Sequence, residues 1–378
     1  MVMGLSMILF LLTFLTLYGG INFYFFFRAQ SLFHLAGISQ GVFFLFTTLM
    51  ILAPILLRVF EALHWEQMAR GLAYIGYVWM AFVFLFFFLS VSLELIRAIH
   101  KLFVPSAATR TLKALTFGVS VCAAAVLVAY GYVEAQTVRV KHLEIETDKS
   151  LPEGKLRLVQ ISDVHVGMII GEKRLGPILE KVSEAKPDLL VSTGDLLDGE
   201  LDNIMHHARL FADLQPKYGK IAILGNHEYF AGLDRSLEFT RTAGFRLLRD
   251  DVVQVAGITI FGADDATGLR FGGSRRSTGF KEALAEKRDD FVLYLKHQPR
   301  VDRGAHFDLM LSGHTHGGQL WPFRFIVRLF FPRDYGLHRL DGTQWLYISR
   351  GTGTWGPPVR IFAPPEITVI DLVGKKFH

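Results

Sequence analysis

Leu156-Arg157-Leu158-Val159-Gln160-Ile161-Ser162-Asp163-Val164-His165 begins as an apolar-rich run and closes on small and polar residues. A buried strand reads this way when it carries its carboxyl end to an active site. Side chains at i and i+2 of a strand point the same way, so Asp163 and His165 are expected to face one metal ion together. A carboxylate beside an imidazole suits Mn, Fe or Zn better than Ca or Mg. Alone, an Asp-x-His pair is commonplace.

Four further motifs follow apolar strand-like runs. Gly194-Asp195-Leu196-Leu197-Asp198 follows Leu189-Leu190-Val191-Ser192-Thr193, and Gly225-Asn226-His227-Glu228 follows Ile221-Ala222-Ile223-Leu224. Lys296-His297-Gln298-Pro299 follows the run from Phe291 to Leu295, and Gly313-His314-Thr315-His316 follows Leu309-Met310-Leu311-Ser312. Sites in open α/β sheets form outside the carboxyl ends of strands. The glycines allow sharp turns and close approach of an anion. Taken singly, each motif has an ordinary reading: Gly-Asn is a common turn pair, and His297, His314 and His316 could be structural or solvated. Five strands each ending in a metal-competent side chain are hard to explain that way. Between these runs lie helical stretches, about Lys173 to Ala185 and Asn203 to Leu214, so the first part is a layered α/β arrangement. Later short strands, Val252–Val255, Thr259–Phe261, Trp345–Ile348 and Ile367–Leu372, suggest antiparallel pairs or a second sheet.

The ordered set Asp-x-His, Gly-Asp-x-x-Asp, Gly-Asn-His-Glu, a lone His and Gly-His-x-His resembles the calcineurin-like metallophosphoesterases, over roughly Leu156 to Leu372. Gly313-His314-Thr315-His316-Gly317-Gly318-Gln319 and Ser349-Arg350-Gly351-Thr352-Gly353 look most like the bacterial, membrane-associated branch. The resemblance implies a sandwich of two mixed β-sheets flanked by helices, and a site for two divalent metal ions, Mn, Fe or Zn. By the same resemblance Asp163, His165 and His316 would hold one ion, Asn226, His297 and His314 the other, and Asp195 would bridge them. A metal-bridging hydroxide would attack phosphorus, with His227 as general acid or charge stabiliser. Asp198 would either support these groups or cap the helix that follows.

The chain has 378 residues, 51% of them hydrophobic, with 33 Phe. The apolar residues crowd the first third. Val2 to Phe27, Ala36 to Leu57, Leu72 to Leu93 and Ala114 to Val133 each reach the roughly 20 residues that span about 30 Å of hydrocarbon. Four transmembrane helices are therefore expected in residues 1–134, a linker and edge strand in 135–155, and the phosphoesterase domain in 156–378. The first run lacks a basic start and an Ala-x-Ala site, so it reads as an anchor and not as a cleaved signal. Arg28, Arg97, Lys101, Arg110 and Lys113 lie on the first and third connections, which favours an inner-membrane protein with its catalytic domain outside the cytoplasm; Arg139, Lys141 and Lys149 argue the other way. Glu94 reads as an interfacial residue or a buried functional acid. A formal charge of +5 with no dense basic block excludes a nucleic-acid footprint, and one cysteine, Cys122, excludes an intrachain disulfide and a Cys-based zinc site.

Trp321-Pro322-Phe323-Arg324-Phe325-Ile326-Val327-Arg328-Leu329-Phe330-Phe331-Pro332-Arg333 interleaves apolar residues with arginine. It is either a helix packed into the core or an interfacial segment with its arginines towards lipid phosphates. The second reading implies a lipid bilayer as partner and a lipid-linked phosphoester or pyrophosphate as substrate. Arg350 and Arg360 are candidate phosphate contacts or ion-pair partners. Two functions compete: a membrane-anchored phosphohydrolase, and a membrane sensor or transporter whose phosphoesterase-like domain binds phosphate without turnover. Retention of every metal-competent motif favours the enzyme.

Overall fold

The computed structural model describes residues 5–103, 110–198, 204–271, 278–340 and 342–375. It divides into two units, Met1–Tyr132 with Gly356–Val359 and Val133–Trp355 with Arg360–His378. The first is built on helices α1 (Leu5–Phe33), α2 (Gly37–Ala62), α3 (Glu66–Phe103) and α4 (Arg110–Gln136). Among the described residues three of these, α2, α3 and α4, are long and apolar enough to cross a membrane, where four crossings are expected from sequence. The run from Val2, whose first residues lie outside the described ones, overlaps α1, which carries the buried polar Asn22.

Several polar groups inside this unit are paired, as an apolar surrounding favours. Trp79 Nε1 donates to Asn22 Oδ1 at 2.7 Å, tying α3 to α1. Arg28 Nη1 lies 2.5 Å from Glu94 Oε1, and Tyr24 Oη donates to Glu94 Oε2 at 3.4 Å. Glu94 therefore acts as a strap between α1 and α3.

In the second unit the strands are β1 (Arg139–Thr147), β2 (Lys155–Ile161), β3 (Val166–Gly167), β4 (Leu189–Ser192), β5 (Leu197–Asp198), β6 (Lys220–Ala222), β7 (Arg246–Leu247), β8 (Asp251–Val255), β9 (Ile258–Gly262), β10 (Val292–Leu295), β11 (Leu309–Ser312), β12 (Gly336–Arg339), β13 (Trp345–Ile348) and β14 (Glu366–Gly374). The helices are α5 (Glu172–Glu184), α6 (Ile204–Ala212), α7 (Asn226–Phe230), α8 (Leu233–Thr242), α9 (Thr278–Ala285) and α10 (Trp321–Phe330). One six-stranded sheet runs β1-β14-β2-β4-β6-β7, a second runs β12-β13-β11-β10-β9-β8, and β3 and β5 form a short pair. Each large sheet mixes parallel and antiparallel neighbours. The alternating Arg139–Thr147 segment is the edge strand, paired to β14 alone.

The sheets pack through one apolar interface. Leu156, Leu158, Leu189, Val191 and Ile221 from the first sheet share a buried cluster with Ile260, Leu293, Leu295, Leu309 and Leu311 from the second. These residues come from near-continuous apolar runs because central parallel strands are covered on both faces. Helix α5 buries Leu175, Ile178, Leu179 and Val182, the i, i+3, i+4, i+7 stripe of an amphipathic helix. Phe280 and Leu284 of α9 cover the outer face of the second sheet.

Register decides where the motifs meet. Ile161 of β2 pairs with Ser192 of β4, which pairs with Ala222 of β6. Leu295 of β10 pairs with Leu311 of β11. The carboxyl ends of the motif-bearing strands are therefore level within each sheet. Leu158 lies at the centre of the interface and is fully buried. Leu158→Ala should destabilise this unit by about 2–5 kcal/mol through lost contacts and a residual cavity, read as a lowered midpoint in chemical denaturation. An unchanged midpoint would contradict the two-sheet core.

Candidate metal centre

β2 ends at Ile161, so Asp163 and His165 lie beyond the strand. Both have left-handed backbones, φ 51° and 54°, as do Asp195 (55°), His314 (73°) and His316 (51°). Alternation along a strand is thus not what aims Asp163 and His165 together; a loop of left-handed residues does it. This conformation costs roughly 1–2 kcal/mol per non-glycine residue and persists only where surroundings impose it. The surroundings are visible. Asp163 Oδ2 accepts from Ser162 Oγ at 2.5 Å, and its carboxylate accepts the His314 backbone N–H at 2.9 Å. Asp195 Oδ1 accepts the His227 backbone N–H at 2.9 Å. The motif glycines permit these approaches: a Cβ at Gly313 would sit 2.0 Å from Ser162 Oγ, and one at Gly225 would sit 2.1 Å from Asp195 Oδ1.

The structure brings the seven sequence-derived ligand candidates together. On one side, His165 Nε2 and His316 Nε2 are 3.1 Å apart, and His316 Nε2 is 3.5 Å from Asp163 Oδ1. On the other, Asn226 Oδ1 is 3.0 Å from His314 Nδ1 and 3.2 Å from His297 Nε2. Asp195 Oδ2 lies between, 3.2 Å from His297 Nε2 and 3.8 Å from His165 Nε2. Donor atoms around a cation bound at about 2.1 Å are spaced by about 3.0–3.5 Å. Atoms that carry lone pairs thus face one another at the spacing of a coordination shell, and the buried His165 Nδ1 has no partner inside the protein. The donor set fits divalent metal, in the groups Asp163/His165/His316 and Asp195/His297/His314.

Electrostatics agree. Burial pushes the His165 and His314 imidazoles down to about 4, so both are neutral, the form that ligates metal. Burial also raises the Asp163 carboxyl to about 6. His297 behaves in the opposite way: burial lowers it, but the Asp195 carboxylate outweighs burial and holds it well above its ordinary value. His227 follows the same pattern and rises to about 9, with Asp195 and Asp198 overcoming burial. The carboxylates call for positive charge at the centre.

Several supports were absent from the sequence reading. The buried Glu228 carboxylate accepts backbone N–H groups of Leu196 at 2.6 Å, Gly225 at 2.7 Å, Asp195 at 3.0 Å and Leu197 at 3.2 Å, fixing two motif loops at once. Its signal was its place three residues after Gly225, the spacing of a capping box. His297 Nδ1 donates to the Thr193 carbonyl at 2.8 Å, which leaves Nε2 for the cluster. Asp198 Oδ1 accepts from His227 Nδ1 at 3.0 Å, so Asp198 orients His227; residues 199–203 lie outside the described ones. Arg360 is fully buried and donates to the carbonyls of Gly353, Arg350 and Ala363, with Nη2 3.0 Å from His316 Nδ1. It orients His316, and the expectation that it contacts phosphate is overturned by that burial. Arg350 stacks over Tyr335 at 4.0 Å and pairs with Glu366 at 3.8 Å, the ion-pair alternative.

The calcineurin-like phosphoesterase family model matches residues 156–318. An uncharacterized metallophosphoesterase of Aquifex aeolicus is 41% identical over 258 residues, covering 67% of this chain and 98% of that protein. The chain belongs to the calcineurin-like metallophosphoesterases. A second metallophosphoesterase relative, from Campylobacter jejuni, is 33% identical over 69% of this chain and 71% of its own length. A zebrafish (Danio rerio) transmembrane protein with metallophosphoesterase domain is 34% identical over 66% of this chain and 60% of its own length. Metallophosphoesterases use divalent metals, and the His/Asp clusters here can bind them.

Glu228→Ala would leave four buried N–H groups without an acceptor. Divalent-cation affinity should fall about 10–100-fold, measured by titration calorimetry with Mn. Wild-type affinity would show that Glu228 does not hold the centre together.

Proposed function

We propose that this metallophosphoesterase hydrolyses a phosphoester or pyrophosphate at a two-metal centre. Asp163, His165 and His316 would hold one ion, Asn226, His297 and His314 the other, and Asp195 would lie between them. The observation that carries this reading is the convergence of seven donors from five loops at coordination spacing. Two cations, when bound, would activate a water and neutralise phosphoryl oxygens. The protein's own groups supply the rest. Asp198 holds the His227 ring by Nδ1, leaving Nε2 free to donate a proton to the departing oxygen. The retention of every ligand-type residue and of His227 supports turnover over a purely phosphate-binding role.

The substrate we propose is lipid-linked, and a bilayer surface is the partner. Support comes from α10. It is not packed into the core: Pro322 is its one buried residue, while Phe325, Ile326, Leu329 and Phe330 are exposed. Its arginines do not reach outward as expected from sequence. Arg324 Nε lies 2.5 Å and Arg328 Nε 3.3 Å from the Asp334 carboxylate, which pins the polar side of the helix and leaves the apolar side free. In a chain with three membrane-capable helices, such a face suits the headgroup–acyl boundary. The basic connections favour a catalytic unit outside the cytoplasm.

Asp195→Asn or His227→Ala should lower phosphoester turnover at least about 100-fold while unfolding behaviour is retained. Wild-type rates in both would remove the assignment. Replacing Phe325, Leu329 and Phe330 together by Ser should slow hydrolysis of a vesicle-borne lipid phosphate about ten-fold relative to a soluble phosphoester. Equal slowing of both substrates would contradict a bilayer-facing α10.

A further inference from the structure

The side of the centre occupied by His227 is walled by aromatic rings that the chemistry described so far does not use. Phe230, one turn along α7, meets the His227 ring at 5.6 Å and 79°. Trp355 meets it from another segment at 5.7 Å and 72°. Phe271 continues the wall, 5.9 Å from Phe230 at 64°. These rings are open to solvent: Phe230 is 57% exposed, Trp355 48% and Phe271 37%, whereas His165, whose ring meets that of His227 at 4.6 Å, is buried. The segment that carries Phe271 is pressed onto α7 at Gly268, where a Cβ would sit 2.5 Å from Tyr229 Oη. Two exposed rings against one histidine, with a third against one of them, form an apolar patch at the site and are not scattered surface residues.

We infer that Phe230, Trp355 and Phe271 form a binding subsite for the apolar carbon chain of the leaving group. This rests on the reading of His227 as the general acid. In hydrolysis the water oxygen forms a new bond to phosphorus, and the P–O bond to the leaving alcohol breaks. The alcohol oxygen takes the proton from His227 Nε2, and a proton from the attacking water restores the balance. Whatever is attached to that oxygen must therefore leave the centre past His227, between Phe230 and Trp355. A polar alcohol would gain nothing from those rings, while an alkyl chain removes their exposed area and its own from water. Phe230 and Phe271 meet at 64°, edge to face, so this pair makes an angled wall for a flexible chain and not a parallel slot for a planar base. The occupant is thus the alkyl part of a lipid alcohol, released as the phosphate stays with the centre.

Binding of hexylphosphonate and methylphosphonate to the full-length, Mn-supplemented protein tests this by calorimetry, independently of turnover. The wild type should prefer hexylphosphonate by at least about ten-fold. Trp355→Ala and Phe230→Ala should each reduce that preference several-fold, and Trp355→Phe should retain most of it. Val252→Ser, on edge strand β8, should keep the wild-type preference and so excludes partition onto the general surface. No chain-length preference in the wild type, or a preference that survives both alanine variants, overturns the subsite while leaving the phosphohydrolase standing. A nucleoside phosphonate that binds through the same residues in place of hexylphosphonate overturns the choice of occupant. Failure of both simple phosphonates to bind, together with no turnover of any phosphoester, strikes instead at the underlying reading.

Discussion

Two carboxylates, Asp163 and Asp195, and four imidazoles, those of His165, His297, His314 and His316, occupy one largely buried volume, and taking such groups out of water is costly. The rest of the catalytic unit can be understood as what holds them there. Within each of two sheets the carboxyl ends of the motif-bearing strands are level, and their five loops meet at one place. Five of the residues involved take left-handed backbones, a strained conformation for any non-glycine residue. Hydrogen bonds compensate from every side: Ser162 to Asp163, Glu228 to four backbone N–H groups, Thr193 to His297 and Arg360 towards His316. The high pKa of His297 and His227 shows which charge the arrangement lacks. Protons on histidine meet part of that demand, and divalent cations would meet it in full.

Such a site would act on phosphate by charge and position, which says little about the rest of a substrate. Selection must come from the rim. Two apolar regions occur there, the rings around His227 and the exposed side of α10, while Phe331, just past α10, touches the His314 ring at 5.1 Å. A soluble phosphate ester would leave both regions facing water. The proposed lipid-linked substrate would cover both.

Most of this was legible in the sequence for a simple reason. Metal-competent residues cannot be exchanged freely, and the glycines beside them answer to contacts below 3 Å, so motif and geometry are the same constraint seen twice. The apolar runs around Leu158, Leu190, Ile221, Leu293 and Met310 gave their strands because both faces are covered. What escaped was interaction at a distance. Arg360 looked like a phosphate ligand since arginine often is one, yet its partner His316 lies 44 residues earlier and only the fold joins them. The orientation of Asp163 and His165 was ascribed to strand alternation, whereas the strand stops at Ile161 and the turn geometry takes over. The arginines of α10 seemed free until folding brought Asp334 against them.

The claim on which the account turns is that these side chains enclose a pair of cations, with Asp195 shared between them. Metal content after equilibrium dialysis of the full-length protein against Mn is the direct measurement, with the electron paramagnetic resonance spectrum taken on the same sample. Two ions per chain with the signature of magnetic coupling are expected. A single uncoupled ion, or none, would contradict it.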